Sequence, residues 1–205
     1  LDDTSCNLAS HNLLSYLTSD GKFLIEEFKY AVSIATIAMD SFIDFSSFPT
    51  EEIKNGTRRY RTLGIGYSGL GAFLMCLGVP YASVTGRNMA ASITSLMSAM
   101  GYLTSHAMAQ VAGAFDAYKN NQDSFYNVMM NHYKASAELI DSIDIGVTIA
   151  KEAGYVWELV TGAASIKDGT GFRNAQISVL APTGTISFMM GLQASTGIEP
   201  MLGLV

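Results

Sequence analysis

A helix-rich α/β fold is what this sequence predicts, and three observations carry the prediction. Apolar residues recur at spacings of three and four over several long windows, the mark of helices with one buried face. A short apolar run, Ile177-Ser178-Val179-Leu180, stops before a proline as a buried strand does. Of the 205 residues, 49% are hydrophobic and 15% charged, which is enough apolar material for one compact domain or a large part of one.

Taken in order, Thr4 to Leu17 mix small polar and apolar residues ahead of a turn at Thr18-Ser19-Asp20-Gly21. Ile25, Phe28, Val32, Ala35, Met39 and Phe42 then share one helical face, and Phe48-Pro49 ends that segment. A basic, polar stretch from Lys54 to Arg61 leads into the glycine-rich Gly64-Ile65-Gly66-Tyr67-Ser68-Gly69-Leu70-Gly71. A short apolar helix follows, ends at Gly78, and is blocked from continuing by Pro80. The next helix is long: Thr85 is its expected cap, and Met89, Ile93, Leu96, Met100, Leu103 and Ala107 its buried stripe. The many Ala, Ser, Gly and Met at its other positions predict neighbours on several sides. Two more helices are expected around 123–140 and 145–159. Lys167-Asp168-Gly169-Thr170-Gly171 makes a turn before the strand at Ile177–Leu180. No linker and no fixed-period repeat divides the chain.

Composition excludes several classes of function. Twelve Lys and Arg against eighteen Asp and Glu leave a net charge of −6 and a pI near 4.9, so the basic footprint of a nucleic-acid binder is missing. No apolar run approaches the roughly 18 residues of a membrane span. Leu1-Asp2-Asp3-Thr4 has neither the basic nor the apolar region of a signal peptide. Two cysteines make no disulfide framework, and the expected compartment is the reducing cytoplasm. An opening on Leu1 without Met, and a close on Gly203-Leu204-Val205 without a polar tail, are expected of a segment cut from a longer chain at both ends.

Five features bear on chemistry. Gly64-x-Gly66-x-x-Gly69 spells the dinucleotide fingerprint, but Arg58-Arg59-Tyr60-Arg61 precedes it in place of a strand, and no acid follows about 20 residues later. The expected reading is a tightly packed helix start. Ala181-Pro182-Thr183-Gly184-Thr185-Ile186-Ser187 leaves a strand and enters an apolar segment, with Pro182 suited to a first helical turn. The amides of Gly184, Thr185 and Ile186, with the hydroxyls of Thr183, Thr185 and Ser187, suit a phosphate at a helix N-terminus. An ordinary helix cap fits the same spacing equally well. Cys6 sits among small polar residues and is either a reactive thiol or a bystander, whereas Cys76, within Phe73-Leu74-Met75-Cys76-Leu77, reads as packing. His11, His106 and His132 have no metal-ligand spacing, and no metal site is expected. Glu199, held between glycine and proline near the loop, is either a site acid or a loop cap.

Four segments together resemble the large catalytic subunit of ribonucleotide reductases. They are Cys6-Asn7-Leu8-Ala9-Ser10; Arg58-Arg59 leading to Gly64-Ile65-Gly66 and Gly69-Leu70; Arg173-Asn174 ahead of Ala181-Pro182-Thr183-Gly184-Thr185; and Thr196-Gly197-Ile198-Glu199-Pro200. Their order and separation fit over nearly the whole chain. Gly171 to Gln176 and Leu180 to Ile186 look most like the adenosylcobalamin-dependent, class II branch; the iron-dependent class I branch has a more serine-rich loop after the proline. The resemblance implies that residues 1–205 form part of one catalytic ten-stranded α/β barrel domain. It implies reduction of ribonucleotides to deoxyribonucleotides for DNA synthesis, begun by a thiyl radical that removes the 3′-hydrogen and completed by a redox-active cysteine pair. Cys6 matches one of that pair. Pro182, Thr183, Gly184, Thr185, Ile186 and Ser187 match the loop that holds the substrate phosphates.

The radical cysteine of the family lies in an Asn-x-Cys-x-Glu loop, and neither Cys6 nor Cys76 is followed two residues later by Glu. In class II members that loop lies just before the segment matched by Leu1 to Ser10, and the 205 residues alone are expected to be inactive. Gly191-Leu192-Gln193 departs from the acidic, cysteine-containing wording often found there in class II members. The implied cofactor is adenosylcobalamin. The implied partners are a ribonucleotide, a thioredoxin-like reductant, allosteric nucleotides in the full-length protein and a second copy in a homodimer, with no direct nucleic acid and no membrane. Two other readings stand beside this one: a class I large subunit with a radical-generating partner protein, and a non-catalytic module that binds nucleotide phosphates.

Overall fold

In a computed structural model, residues 3–140, 146–166, 170–192 and 194–201 are described. Leu1 and Asp2, the expected helix start at Ile145, Lys167 to Asp168 and Gly169 of the expected turn, Gln193, and Gly203 to Val205 lie outside the described residues. The elements run in the order β1 (Asn7–Asn12), α1 (Ile25–Phe45), α2 (Glu51–Tyr60), β2 (Leu63–Ser68), α3 (Leu70–Cys76), α4 (Val84–Ala112), α5 (Tyr118–Ile140), α6 (Val147–Ser165) and α7 (Gly184–Met189). A single 3-10 turn, Leu13–Tyr16, follows β1 and is capped by the Asn12 side chain.

The glycine-rich stretch read as a helix start is a strand. β2 pairs in parallel with β1, Asn7 opposite Leu63 through Asn12 opposite Ser68. Leu63, Ile65 and Tyr67 are fully buried on one face, while Gly64 and Gly66 alternate on the other. A Cβ on Gly66 would stand 2.4 Å from the carbonyl oxygen of Val179, so glycine is required where the next strand passes. That next strand is shorter than expected. Ile177–Leu180 makes one parallel bridge, Ile65 to Ser178, with the Ile65 amide donating to Ile177 and the Val179 amide to Ile65. Gly69, at φ +77°, turns the chain from β2 into α3.

The two strands are joined through α1 and α2, the crossover that parallel pairing demands. α1 packs on both strands, α4 packs on α1 and on α6, and α5 lies against α6. α2 begins at Thr50, whose hydroxyl accepts from the Ile53 amide, and carries the basic stretch that had shown no helical stripe. Phe28, Val32 and Met39 of α1 are buried as expected; Phe42 is exposed, and Ile43 takes its place in the core. In α4 the cap is Ser83, which accepts from the Gly86 amide, and Thr85 lies inside the helix. Met89, Ile93 and Leu96 are buried, Ala107 is exposed, and Ala109 carries the stripe onward. Gly101, Tyr102 and Ser105 are buried as well, which gives the crowding expected of a helix with neighbours on several sides. The observed architecture is thus helix-rich α/β with a small parallel sheet. No helix among the described residues is long and apolar enough to cross a membrane.

Candidate functional site

The residue face of β1 that points away from α1, together with the glycine face of β2 and the segment from Val179 to Ile186, encloses a cavity of about 200 Å³. Its walls include Leu8, Ser10, Gly64, Val179, Thr183 and Ile186. Leu8, Ser10 and Gly64 belong to segments that carry the resemblance but are not among its candidate site residues; the alternation of glycine with large apolar residues from Leu63 to Tyr67 is the signal in the sequence.

Cys6 immediately precedes β1. Its sulfur lies over Gly64: a Cβ built there would be 3.0 Å from it. The residue is exposed overall, and burial still pushes the thiol pKa up, so the thiol is protonated at neutral pH. Its hydrogen bond goes to the Asn7 carbonyl at 3.6 Å. The neighbouring Asn7 is anchored by its side-chain amide, which donates to the Met39 carbonyl of α1 at 2.9 Å. Cys76 is not the packing residue expected: it sits exposed at the end of α3, because the core side of that short helix is taken by Leu70, Phe73 and Leu74.

Pro182 stands ahead of the helix rather than in its first turn. Thr183 is the N-cap, at φ +53°, and its hydroxyl donates to the Thr196 carbonyl (2.8 Å). The Ser187 hydroxyl is buried and donates to the Gly184 carbonyl (2.6 Å). Two of the three hydroxyls expected to face an anion are therefore engaged within the turn. Gly184, Thr185 and Ile186 are exposed, and among the described residues no carbonyl accepts from their amides.

Glu199 supports this turn from behind. Its carboxylate accepts from the Thr196 hydroxyl and from the amides of Thr196 and Gly197. Burial works against its charge, but those hydrogen bonds hold its pKa below the ordinary value. Gly197 fits close against the Pro182 carbonyl and the Thr183 hydroxyl. Glu199 is thus a loop-closing acid.

Arg61 and Arg173 serve elsewhere. Arg61, at φ +49° after α2, is buried and grips Asp40 through Nε (2.8 Å) and Nη2 (2.9 Å), and Asp44 through both Nη atoms at 2.9 Å. Burial opposes its charge, and the two carboxylates more than restore it. Asn174 donates to Asp40 (2.8 Å) and to the Arg61 carbonyl (2.9 Å), while Arg173 reaches Asp40 at 3.4 Å. The histidines stay apart: His11 faces Tyr16, His106 faces the Gly171 carbonyl, and His132 stacks on Trp157. Among the described residues no His, Cys, Asp and Glu group could hold a metal.

The family model for the ribonucleotide reductase barrel domain matches residues 1–205. The chain belongs to that family. Relatives named vitamin B12-dependent ribonucleotide reductase include one from Rhodopirellula baltica, 44% identical over 205 residues, and one from Streptomyces avermitilis, 44% identical over 209. Both alignments cover 100% of this chain but only 19% and 21% of the relative. A vitamin B12-dependent ribonucleoside-diphosphate reductase of Thermoplasma acidophilum is 28% identical over 200 residues, which is 98% of this chain and 20% of that protein. The chain spans about a fifth of the length of these ribonucleotide reductases. The family resemblance carried by the four segments, and its leaning toward the vitamin B12-dependent branch, are borne out.

Proposed function

We propose that this chain forms part of the ten-stranded catalytic barrel of a cytoplasmic, adenosylcobalamin-dependent ribonucleotide reductase that makes deoxyribonucleotides for DNA synthesis. The observation that supports the reading is that one cavity is lined both by Gly64, over which the Cys6 sulfur lies, and by Pro182, Thr183 and Ile186 of the turn whose amides at Gly184, Thr185 and Ile186 are exposed. The turn holds the substrate phosphates, because amides at a helix start attract anions. Cys6, protonated, is one of two thiols that reduce the sugar.

After a thiyl radical has taken the 3′-hydrogen, the 2′-hydroxyl leaves as water. The two thiols supply two electrons and two protons, a disulfide forms, and the hydrogen taken from C3′ is returned there, which regenerates the thiyl radical. An external dithiol of the thioredoxin class then reduces that disulfide by exchange. Four cavities among the described residues hold about 200 to 390 Å³ each, and none of these four is large enough to enclose a corrin. None of the chemistry assigned to Cys6 or to the turn passes through the cobalamin. Allosteric nucleotides and a second copy of the chain are further proposed partners of the full-length protein.

The test is Cys6→Ser in the full-length protein, with Cys76→Ser as control. Cys6→Ser is expected to abolish repeated turnover driven by thioredoxin while leaving ribonucleotide binding within about twofold. Cys76→Ser is expected to change neither. Wild-type cycling by Cys6→Ser would remove the cysteine from the mechanism and leave a nucleotide-binding role for the turn.

A further inference from the structure

We infer that Gly64 is a positioning residue: the side chain it lacks sets where the Cys6 sulfur lies beside the cavity. The inference rests on the reading of Cys6 as half of a redox pair.

Backbone conformation does not demand glycine here. Gly64 lies in regular parallel register opposite Leu8 and is not among the positive-φ residues. What a side chain would meet is the informative point. A Cβ at Gly64 would stand 3.0 Å from the Cys6 sulfur, 2.6 Å from Leu8 Cδ2 and 2.7 Å from Val179 Cγ1. All three are side-chain atoms; Leu8 and Cys6 can rotate, whereas Val179, branched at Cβ, is stiffer. Gly66, two residues on, presents the opposite case: its Cβ would meet the Val179 carbonyl oxygen, which belongs to a backbone tied to Ile65. A methyl at Gly66 meets the Val179 backbone, whereas the three nearest neighbours of a methyl at Gly64 are side chains, and making room for it shifts Leu8 and Val179 and displaces the Cys6 sulfur by a few tenths of an ångström. The thiol's hydrogen bond to the Asn7 carbonyl, at 3.6 Å, offers little resistance to that movement, because a thiol is a weak donor. Thiol transfer to a bound sugar depends on the placement of the reacting atom, and an error of about 1 Å costs up to about 100-fold in rate.

The experiment is Gly64→Ala in the full-length protein, read in two ways. The first is the rate at which iodoacetamide alkylates Cys6, followed on the Cys6 peptide by mass spectrometry. The second is turnover with a thioredoxin-class reductant, separated into kcat and KM. We expect the alkylation rate to change by about threefold or more, kcat to fall by about threefold or more, and KM to stay within about twofold. An unchanged alkylation rate overturns the inference whatever turnover does.

A changed alkylation rate with wild-type kcat also overturns it, and Cys6→Ser then separates the two ideas. If Cys6→Ser is inactive, the redox reading stands and only the positioning role falls; if it cycles normally, the redox reading itself has failed. Should Gly64→Ala not fold, the same substitution is made in a Leu8→Ala/Val179→Ala background, where the new methyl meets only the sulfur. It is then compared with that background, in which the two closest clashes are relieved, by the same two measurements, and the background is itself compared with wild type because Leu8 and Val179 line the cavity.

Discussion

His11 shows how far the setting of one residue can depart from what its type suggests. It lies on β1 with Nδ1 3.0 Å from the Tyr16 hydroxyl and its ring edge-on to Phe28, and Nε2 is buried with no hydrogen-bond partner among the described residues. Burial lowers its pKa from 6.5 to about 4. Between those values the folded protein keeps His11 neutral while the unfolded chain takes up a proton. Its contribution is therefore complete above about pH 6.5 and is lost as pH falls toward 4, a loss of roughly 3 kcal/mol at about 1.4 kcal/mol for each pH unit. His11→Gln keeps a hydrogen-bonding group near Tyr16 and does not titrate. Its thermal midpoint, measured from pH 7 to pH 4, should fall less steeply than that of the wild type; equal slopes would show that His11 is not the titrating group.

At the scale of elements, two junctions are exposed to direct test. The first joins α1 to the end of α2 and to the segment before the third strand, and Arg61 is its centre. Removing one partner of a buried pair leaves the other charge uncompensated, so Arg61→Ala should cost about 3–5 kcal/mol in denaturant unfolding. Arg61→Lys should recover only part of this, because an ammonium cannot reproduce the forked contacts to both carboxylates. The second junction is the turn into α7. Gly184 has open space around its Cβ position, so Gly184→Asp can be accommodated. A carboxylate at a helix start stabilises the helix and repels a phosphate. This variant should therefore fold at least as well as wild type and raise the Kd for ribonucleotide about tenfold or more, as read by calorimetry; unchanged affinity would remove the phosphates from this turn.

The whole molecule raises a different question, because the cavity is bordered by apolar surface that the chain does not cover. Leu8 is 62% exposed, Phe188 71% and Met189 85%, and all three belong to the segments that frame the site. Apolar surface gathered in one place marks an interface or drives association. The purified 205-residue chain should accordingly self-associate in light scattering and form no deoxyribonucleotide, since neither cysteine lies in an Asn-x-Cys-x-Glu sequence. Product formation by that chain would overturn the assignment of the radical step to residues outside it.

Long helices were legible because their evidence is local: α1 and α4 each repeat an apolar stripe over enough turns to be read without any partner, while α5 and α6 were placed without one, and α5 begins five residues before 123 and α6 ends six after 159. Family membership was legible for a related reason, as four short segments in the right order are a property of the string. The sheet was not. β1 is Asn-Leu-Ala-Ser-His-Asn and β2 contains two glycines, so neither has the composition of a strand; each becomes one only by lying beside the other under α1. The site was half legible. Sequence offered Cys6 and Pro182–Ser187 as candidates, 176 residues apart from Cys6 to Pro182, and only the parallel pairing of β1 with β2, and of β2 with Ile177–Leu180, brings Gly64, beside the Cys6 sulfur, to the same cavity as Pro182 and Thr183. The inward turn of the Thr183 and Ser187 hydroxyls, the withdrawal of Glu199 into its own loop and the role of Gly64 as the surface beneath a sulfur were all decided in the same way. Each depends on which groups meet across the chain, and hydrogen bonds and steric contacts between distant segments leave no period in a sequence.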